Sequence, residues 1–285
     1  VRFASEKAAV IALVLVLTLP FLQKPFHVDD IFYVRVAETI LKTPLDPFSS
    51  GGALMDEDYR AFAKAGLAPT LFEGLNHPPL LPYFLAGIAA LSGGLRELPL
   101  HLGYVAFTLA AGLFTLRLAR RFSPFPPWST LFVVASPAFA LPAQGLMTDM
   151  PSLALTLGAI VLFVEGADSN RKATLFGAGA LLGFALLVRY TALSVGLVWV
   201  AYVVLLRRSP RHLLPALAGA AIVFAPWAIQ NLVVHGQLHI LAGLVQAARV
   251  NAGRPVSALA KTLCDVAALG GVSWPVTALL VALGR

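Results

Sequence analysis

Cysteine is all but missing from this chain: Cys264 stands alone among 285 residues. A single cysteine excludes an internal disulfide framework and any Cys-x-x-Cys metal or redox site. Charge is scarce too, at 12% Asp, Glu, Lys and Arg, where a water-soluble domain carries roughly 25%. There is no Walker-type phosphate loop, Gly-x-Ser-x-Gly elbow, His-Glu-x-x-His pair or EF-hand loop, which argues against an ATP-driven pump or a hydrolase built on those motifs. Internal repeats, charge runs and low-complexity segments are absent as well. Apolar residues take their place, at 58% of the chain and a mean hydropathy of +0.81. The composition is that of a polytopic membrane protein.

The formal charge of +7, from 21 basic and 14 acidic residues, does not call for nucleic acid. In a membrane protein, Lys and Arg collect in cytoplasmic loops. Apolar segments recur at roughly 8–22, 79–93, 99–118, 128–146, 150–166, 173–188, 191–206, 213–234 and 266–284, and a helix needs about 20 apolar residues to cross the hydrocarbon core. The first follows Arg2 and Lys7 and is trailed by QKPFHVDD, with no small-residue cleavage pattern. It reads as an uncleaved anchor entering from the cytoplasm. If 79–93 also crossed, Arg117, Arg120, Arg121, Arg207, Arg208 and Arg211 would lie outside. Treating that short, Pro-led segment as re-entrant or interfacial returns every basic cluster, Arg171 and Lys172 included, to the cytoplasm. The expected fold is an all-α polytopic transmembrane helical bundle forming one module over 1–285. Residues 23–98 form its first extracytoplasmic loop with amphipathic interfacial helices, 99–235 its transmembrane helices, and 236–285 a loop and last apolar segment.

Four stretches carry candidate chemistry. HVDDIFYVRVAETIL, from His27 to Leu41, opens on two carboxylates. At 100° per residue Phe32, Tyr33, Val36, Ala37, Ile40 and Leu41 share one arc, with Arg35, Glu38, Thr39 and Lys42 opposite. Such a helix lies along the bilayer surface with its apolar side down and points Asp29 into the protein. Read more plainly, the acidic pair is an ordinary helix start favoured by capping and the helix dipole. NHPPLLPYFLAG, from Asn76 to Gly87, is either a Pro-led helix start or a site where His77 meets a phosphate or a metal. In GLMTDMPSLAL, Thr148 or Asp149 suits an N-cap. Asp149 also interrupts a long apolar tract, and an ionisable group at membrane depth needs a partner. Arg189, followed by Tyr190 in LLVRYTAL, is the natural opposite charge; its plainer role is to snorkel to headgroups. In FAPWAIQNLVVHGQ, Pro226 kinks a spanning helix and frees carbonyls that can line a cavity, while Trp227 suits an interface anchor.

Together these segments resemble the polyprenyl-phosphate-sugar-dependent glycosyltransferases of the GT-C fold, among them the protein O-mannosyltransferases and aminoarabinose transferases. Asp29, Asp30, Tyr33 and Ala37 match the acidic-pair helix of that family in register. NHPPLLPYFLAG, TDMP and PWAIQN resemble its Pro-Pro-Leu, second acidic and Pro-Trp…Asn segments, over roughly residues 25–235. The resemblance implies an integral-membrane transferase with its site on the extracytoplasmic side. Its donor would be a polyprenyl-phosphate sugar, its acceptor a hydroxyl of a protein, lipid or glycan, with no nucleic acid involved. Asp29 would be the general base of an inverting transfer, and His77 and Arg189 would stabilise the leaving phosphate. Asp30 and Asp149 would orient the acceptor, the sugar or a metal, and Tyr33 and Tyr190 would complete the substrate contacts. No cofactor is specified; Asn76 and His77 stand where some relatives carry an acid that helps hold a metal, which leaves only room for a divalent cation. Relatives usually continue through further spanning helices, so the chain is expected to be a fragment or a reduced member. A transporter and a non-catalytic scaffold are the alternatives.

Overall fold

The computed structural model describes residues 2–49, 77–206, 208–242 and 245. The apolar stretch 266–284, Cys264, Asn76 and the side chain of Asp29 lie outside what it describes. Among the described residues the architecture is helical throughout. Helix α1 (Arg2–Thr18) runs into a short 3-10 turn over Leu19–Phe21. It is followed by α2 (Val28–Lys42), α3 (Leu80–Ser92), α4 (Glu97–Phe122), α5 (Pro126–Val134), α6 (Asp149–Ser169), α7 (Lys172–Leu186), α8 (Ser194–Leu205) and α9 (Leu213–His235). Among the described residues four segments are long and apolar enough to cross a membrane: Ala4–Phe21, Glu97–Phe122, Asp149–Ser169 and Pro210–His235. The protein is an all-α polytopic membrane bundle.

Side-chain pairs define the two ends of that bundle. At one end Glu6 of α1 meets Arg120 of α4 at 2.7 Å, and Arg117 meets Glu165 of α6 at 2.6 Å. Asp168, near the end of α6, accepts from Arg208 at 2.6 Å and from the Tyr202 hydroxyl of α8 at 2.7 Å. Asn170, at φ 53°, closes α6 in the left-handed region and turns the chain into α7 within two residues. Every basic cluster that the structure describes beyond α1 gathers at this arginine end. At the other end lie the exit of α1, the starts of α2 and α6 and the exit of α7.

Helix α3 begins and finishes at that second end. The Leu80 N–H donates to the Leu187 carbonyl just beyond α7. Its far end leads through Gly93, in the left-handed region at φ 77°, to α4, whose His101 stacks on Phe26 at 6.2 Å. Thirteen residues span about 20 Å at 1.5 Å per residue, short of the roughly 30 Å hydrocarbon core.

Two sequence expectations are altered. The stretch 128–146 is not one helix: Pro137 and Pro142 break it into α5, a turn over Pro137–Ala140 and a 3-10 turn over Pro142–Gln144, because proline removes a backbone donor and clashes with the preceding turn. The buried side of α2 is also turned from the expected arc. Val36, Ala37 and Ile40 are buried against α3 and the core, as is Thr39, whose hydroxyl donates to the Arg35 carbonyl at 3.2 Å. Leu41 is exposed. The side of this helix turned to the protein is therefore Val36, Ala37, Thr39 and Ile40.

Helices α7 and α9 form the closest pair. A Cβ on Gly179 would overlap the Ala216 carbonyl, and one on Gly219 the Phe176 carbonyl. Small residues let the two backbones meet, the usual way helices associate where no hydrophobic effect separates helix from lipid.

Candidate functional site

The site end is assembled around Asp30. Its carboxylate is buried at 2% exposure, and each oxygen accepts a main-chain N–H. Oδ2 takes His27 N–H at 3.0 Å, capping α2; Oδ1 takes Leu146 N–H at 2.7 Å, 116 residues away. Gly145 permits this approach, since a Cβ there would stand only 3.3 Å from Oδ1. Next along the turn, the Tyr104 hydroxyl donates to the Met147 carbonyl. The strand of chain that launches α6 is thus held from both sides, by α2 and by α4.

Asp149 is the first residue of α6, and its carboxylate pairs with the guanidinium of Arg189. Thr148 occupies the N-cap position without a side-chain capping bond. Asp149 is therefore committed to the ion pair and does not cap its helix, and Arg189 does not snorkel away. Their side chains remain 37% and 29% exposed, so the pair is open on one side. Arg189 Nε is buried with no hydrogen-bond partner among the described residues. A guanidinium has five donors, and here one is shielded from water without an acceptor.

Beside Arg189, the Tyr190 hydroxyl accepts Trp227 Nε1–H at 3.3 Å and lies 2.8 Å from His239 Nδ1. Burial pushes this phenol up to about 12, against the opposing pull of the Trp227 hydrogen bond, so it is protonated at any physiological pH. Phe48 lies edge-on to Trp227 and stacks on His239, and Phe224 meets Tyr190 edge-on. Trp227 is buried at 8% exposure and faces inward; it is not an interface anchor. Pro226 brings one edge of α9 into a groove of about 230 Å³ lined by Pro44, Leu45, Pro79, Leu80, Tyr83, Leu187, Pro226, Trp227 and Gln230. The groove wall is mostly apolar. Burial, then the nearby Asp46 charge, raises the Tyr83 phenol, whose hydroxyl donates to the Pro44 carbonyl at 2.6 Å.

The candidate residues named from the sequence fall in this region by different routes. Asp149, Arg189 and Tyr190 are joined directly. His77 is half-buried and stands three residues before Leu80, which is bound to Leu187. Tyr33 is half-buried on α2 and packs on the first core cluster. Asp29 opens the same helix, adjacent to Asp30. Phe48 and His239 were not singled out in the sequence, and the one signal there was a histidine set within the apolar run Leu238–Leu241. Among the described residues no three His, Cys, Asp or Glu side chains gather as a metal site requires.

Comparison with known families matches residues 76–229, just over half of the chain, to the family described as dolichyl-phosphate-mannose-protein mannosyltransferase. The chain belongs to that family. This mannosyltransferase-family match takes in His77, Asp149, Arg189, Tyr190 and Trp227; it begins after Asp29, Asp30, Tyr33 and Phe48 and ends before His239. No curated protein and no solved structure matches the chain. The protein is thus a membrane glycosyltransferase of the GT-C type.

Proposed function

We propose that the protein moves a sugar from a polyprenyl-phosphate donor to an acceptor hydroxyl, with inversion, at the end of the bundle that carries Asp149 and Arg189. The observation that carries this reading is the partly open Asp149–Arg189 pair beside a mostly apolar groove. Such a pairing suits a ligand with a hydrocarbon chain and a phosphate. The groove would take the first isoprene units and supply most of the donor's binding, and Arg189 would meet the phosphate most closely as charge grows on it in the transition state. The arginine end would face the cytoplasm, as the distribution of positive charge requires, and the site the extracytoplasmic side.

Asp29 is the proposed base. It takes the proton of the acceptor hydroxyl as that oxygen bonds to the anomeric carbon. The bond from that carbon to the phosphate oxygen breaks, and its electron pair leaves with the polyprenyl phosphate. Negative charge grows on the leaving group, so a fixed cation there lowers the barrier. Arg189 fills that role, with His77 as a second donor, while Asp149 holds Arg189 and Tyr33 and Tyr190 shape the space around the sugar. Asp30 has both oxygens engaged by backbone N–H groups, so its role is to position Asp29 and the α6 start, not to exchange protons. The charges stand at helix ends, not in mid-bundle with repeat symmetry, which favours a transferase over a transporter.

The test is turnover of lipid-linked sugar by the full-length protein in nanodiscs. A panel of polyprenyl-phosphate mannose, glucose and aminoarabinose would be offered with Ser/Thr peptides and lipid A. Transfer by the wild type and its abolition in Asp29→Asn, with expression and membrane insertion intact, is the expected result. Unchanged transfer by that variant removes the proposed base.

A further inference from the structure

The segment that leaves α2 is fastened across the groove by side chains from three separate places. Tyr83 of α3 donates to the Pro44 carbonyl at 2.6 Å, and Gln230 of α9 donates to the Leu45 carbonyl at 3.0 Å. Phe48 then stacks on His239 with ring centroids 5.4 Å apart and planes 15° from parallel. His239 is completely buried, and its Nδ1 faces the Tyr190 hydroxyl at 2.8 Å. The Tyr190 oxygen accepts from Trp227 and keeps its own proton to donate, and we take that proton to lie toward Nδ1, with the imidazole as acceptor there. Tyr190 is bonded covalently to Arg189, so a fixed phenol fixes the stem from which the guanidinium reaches Asp149.

We infer that His239 is a positioning residue of the transferase site. Through Tyr190 it holds Arg189 where the leaving phosphate develops charge, and through Phe48 it ties that arrangement to the strap over the groove. The inference rests on the functional reading above and adds His239 and Phe48, which lie outside the span matched to the family. A misplacement of Arg189 acts on the transition state more than on the ground state, so it lowers kcat and leaves the donor KM nearly unchanged.

The experiment uses the full-length protein in nanodiscs, with polyprenyl-phosphate mannose as donor and a threonine peptide as acceptor. His239→Leu and Tyr190→Phe are each expected to lower kcat by roughly 10- to 100-fold, with donor KM changed by less than about threefold. The double variant is expected to be no slower than the slower single one, because both remove the same hydrogen bond. His239→Asn, whose Oδ1 can replace Nδ1 as acceptor, is expected to recover most of kcat. Equal losses in His239→Leu and His239→Asn, or additive losses in the double variant, reduce His239 to packing and overturn the inference while the transferase reading stands. A wild type that turns over none of the donor panel overturns the reading itself and the inference with it.

Discussion

The two ends of this bundle use charge in opposite ways. At the arginine end, Glu6, Glu165 and Asp168 each meet a cation or hydroxyl from another helix, and Asp168 alone joins α4, α6, α8 and the segment after it. These contacts are spread over a charged, water-accessible rim and act as stitches between helices. At the site end the two acids nearest the start of α6 are engaged differently, Asp30 by backbone amides and Asp149 by Arg189. A stitch can be cut one at a time with a modest cost, since exposed pairs are screened by solvent. A half-buried pair beside a groove stands in a lower dielectric, where the same charge acts far more strongly on whatever binds.

The comparison can be broken most severely at Asp29. Asp29→Asn should lower transfer by roughly a thousandfold, the scale of a lost general base, with no shift in the melting temperature of the purified protein. A melting shift as large as the activity loss would return that carboxylate to the status of a helix start. Arg189→Gln should follow, with a loss of roughly a hundredfold in kcat, as expected for one fixed donor at a developing oxyanion. Exchanging the two charges, Asp149→Arg with Arg189→Asp, should restore the melting temperature but not transfer. Recovery of transfer in that swap would mean that the pair is structural.

Asp30→Ala should be the reverse case, chiefly a stability effect. It strips two backbone N–H groups of their acceptor, at about 1–3 kcal/mol for each one left buried, and thermal unfolding in detergent reads it directly. The smallest effect is expected at the arginine end. Asp168→Asn should cost about 1 kcal/mol of stability, in line with half-exposed pairs, and leave turnover unchanged. A loss of transfer there would show that the two ends are coupled and would redraw the contrast.

Much of this could be read along the chain. The spacing of the apolar segments and the placement of arginines marked 79–93 as a short segment apart from the long spans, and the helix there covers only Leu80–Ser92. Asp149 and Arg189 could be paired because an isolated charge in an apolar tract needs a partner, and each was the available one on that side. Other features could not be read. Asp30 looked like a group that orients a substrate or a metal because a pair of carboxylates says nothing about which backbone amides will point at it; Leu146 arrives from 116 residues away. Trp227 looked like an anchor because its neighbour in space, Tyr190, is 37 residues distant. Phe48 and His239 gave no pattern at all.

By itself the sequence determined that this is a helical membrane protein, where the basic clusters lie and which charges would seek each other. Those properties follow from local composition and from the cost of unpaired charge in lipid, which act wherever the residues are. Only the tertiary structure decided which carboxylate is spent on backbone amides, which aromatic faces inward and what surrounds Tyr190, because a hydrogen bond forms between neighbours in space and the order of residues along the chain does not record them.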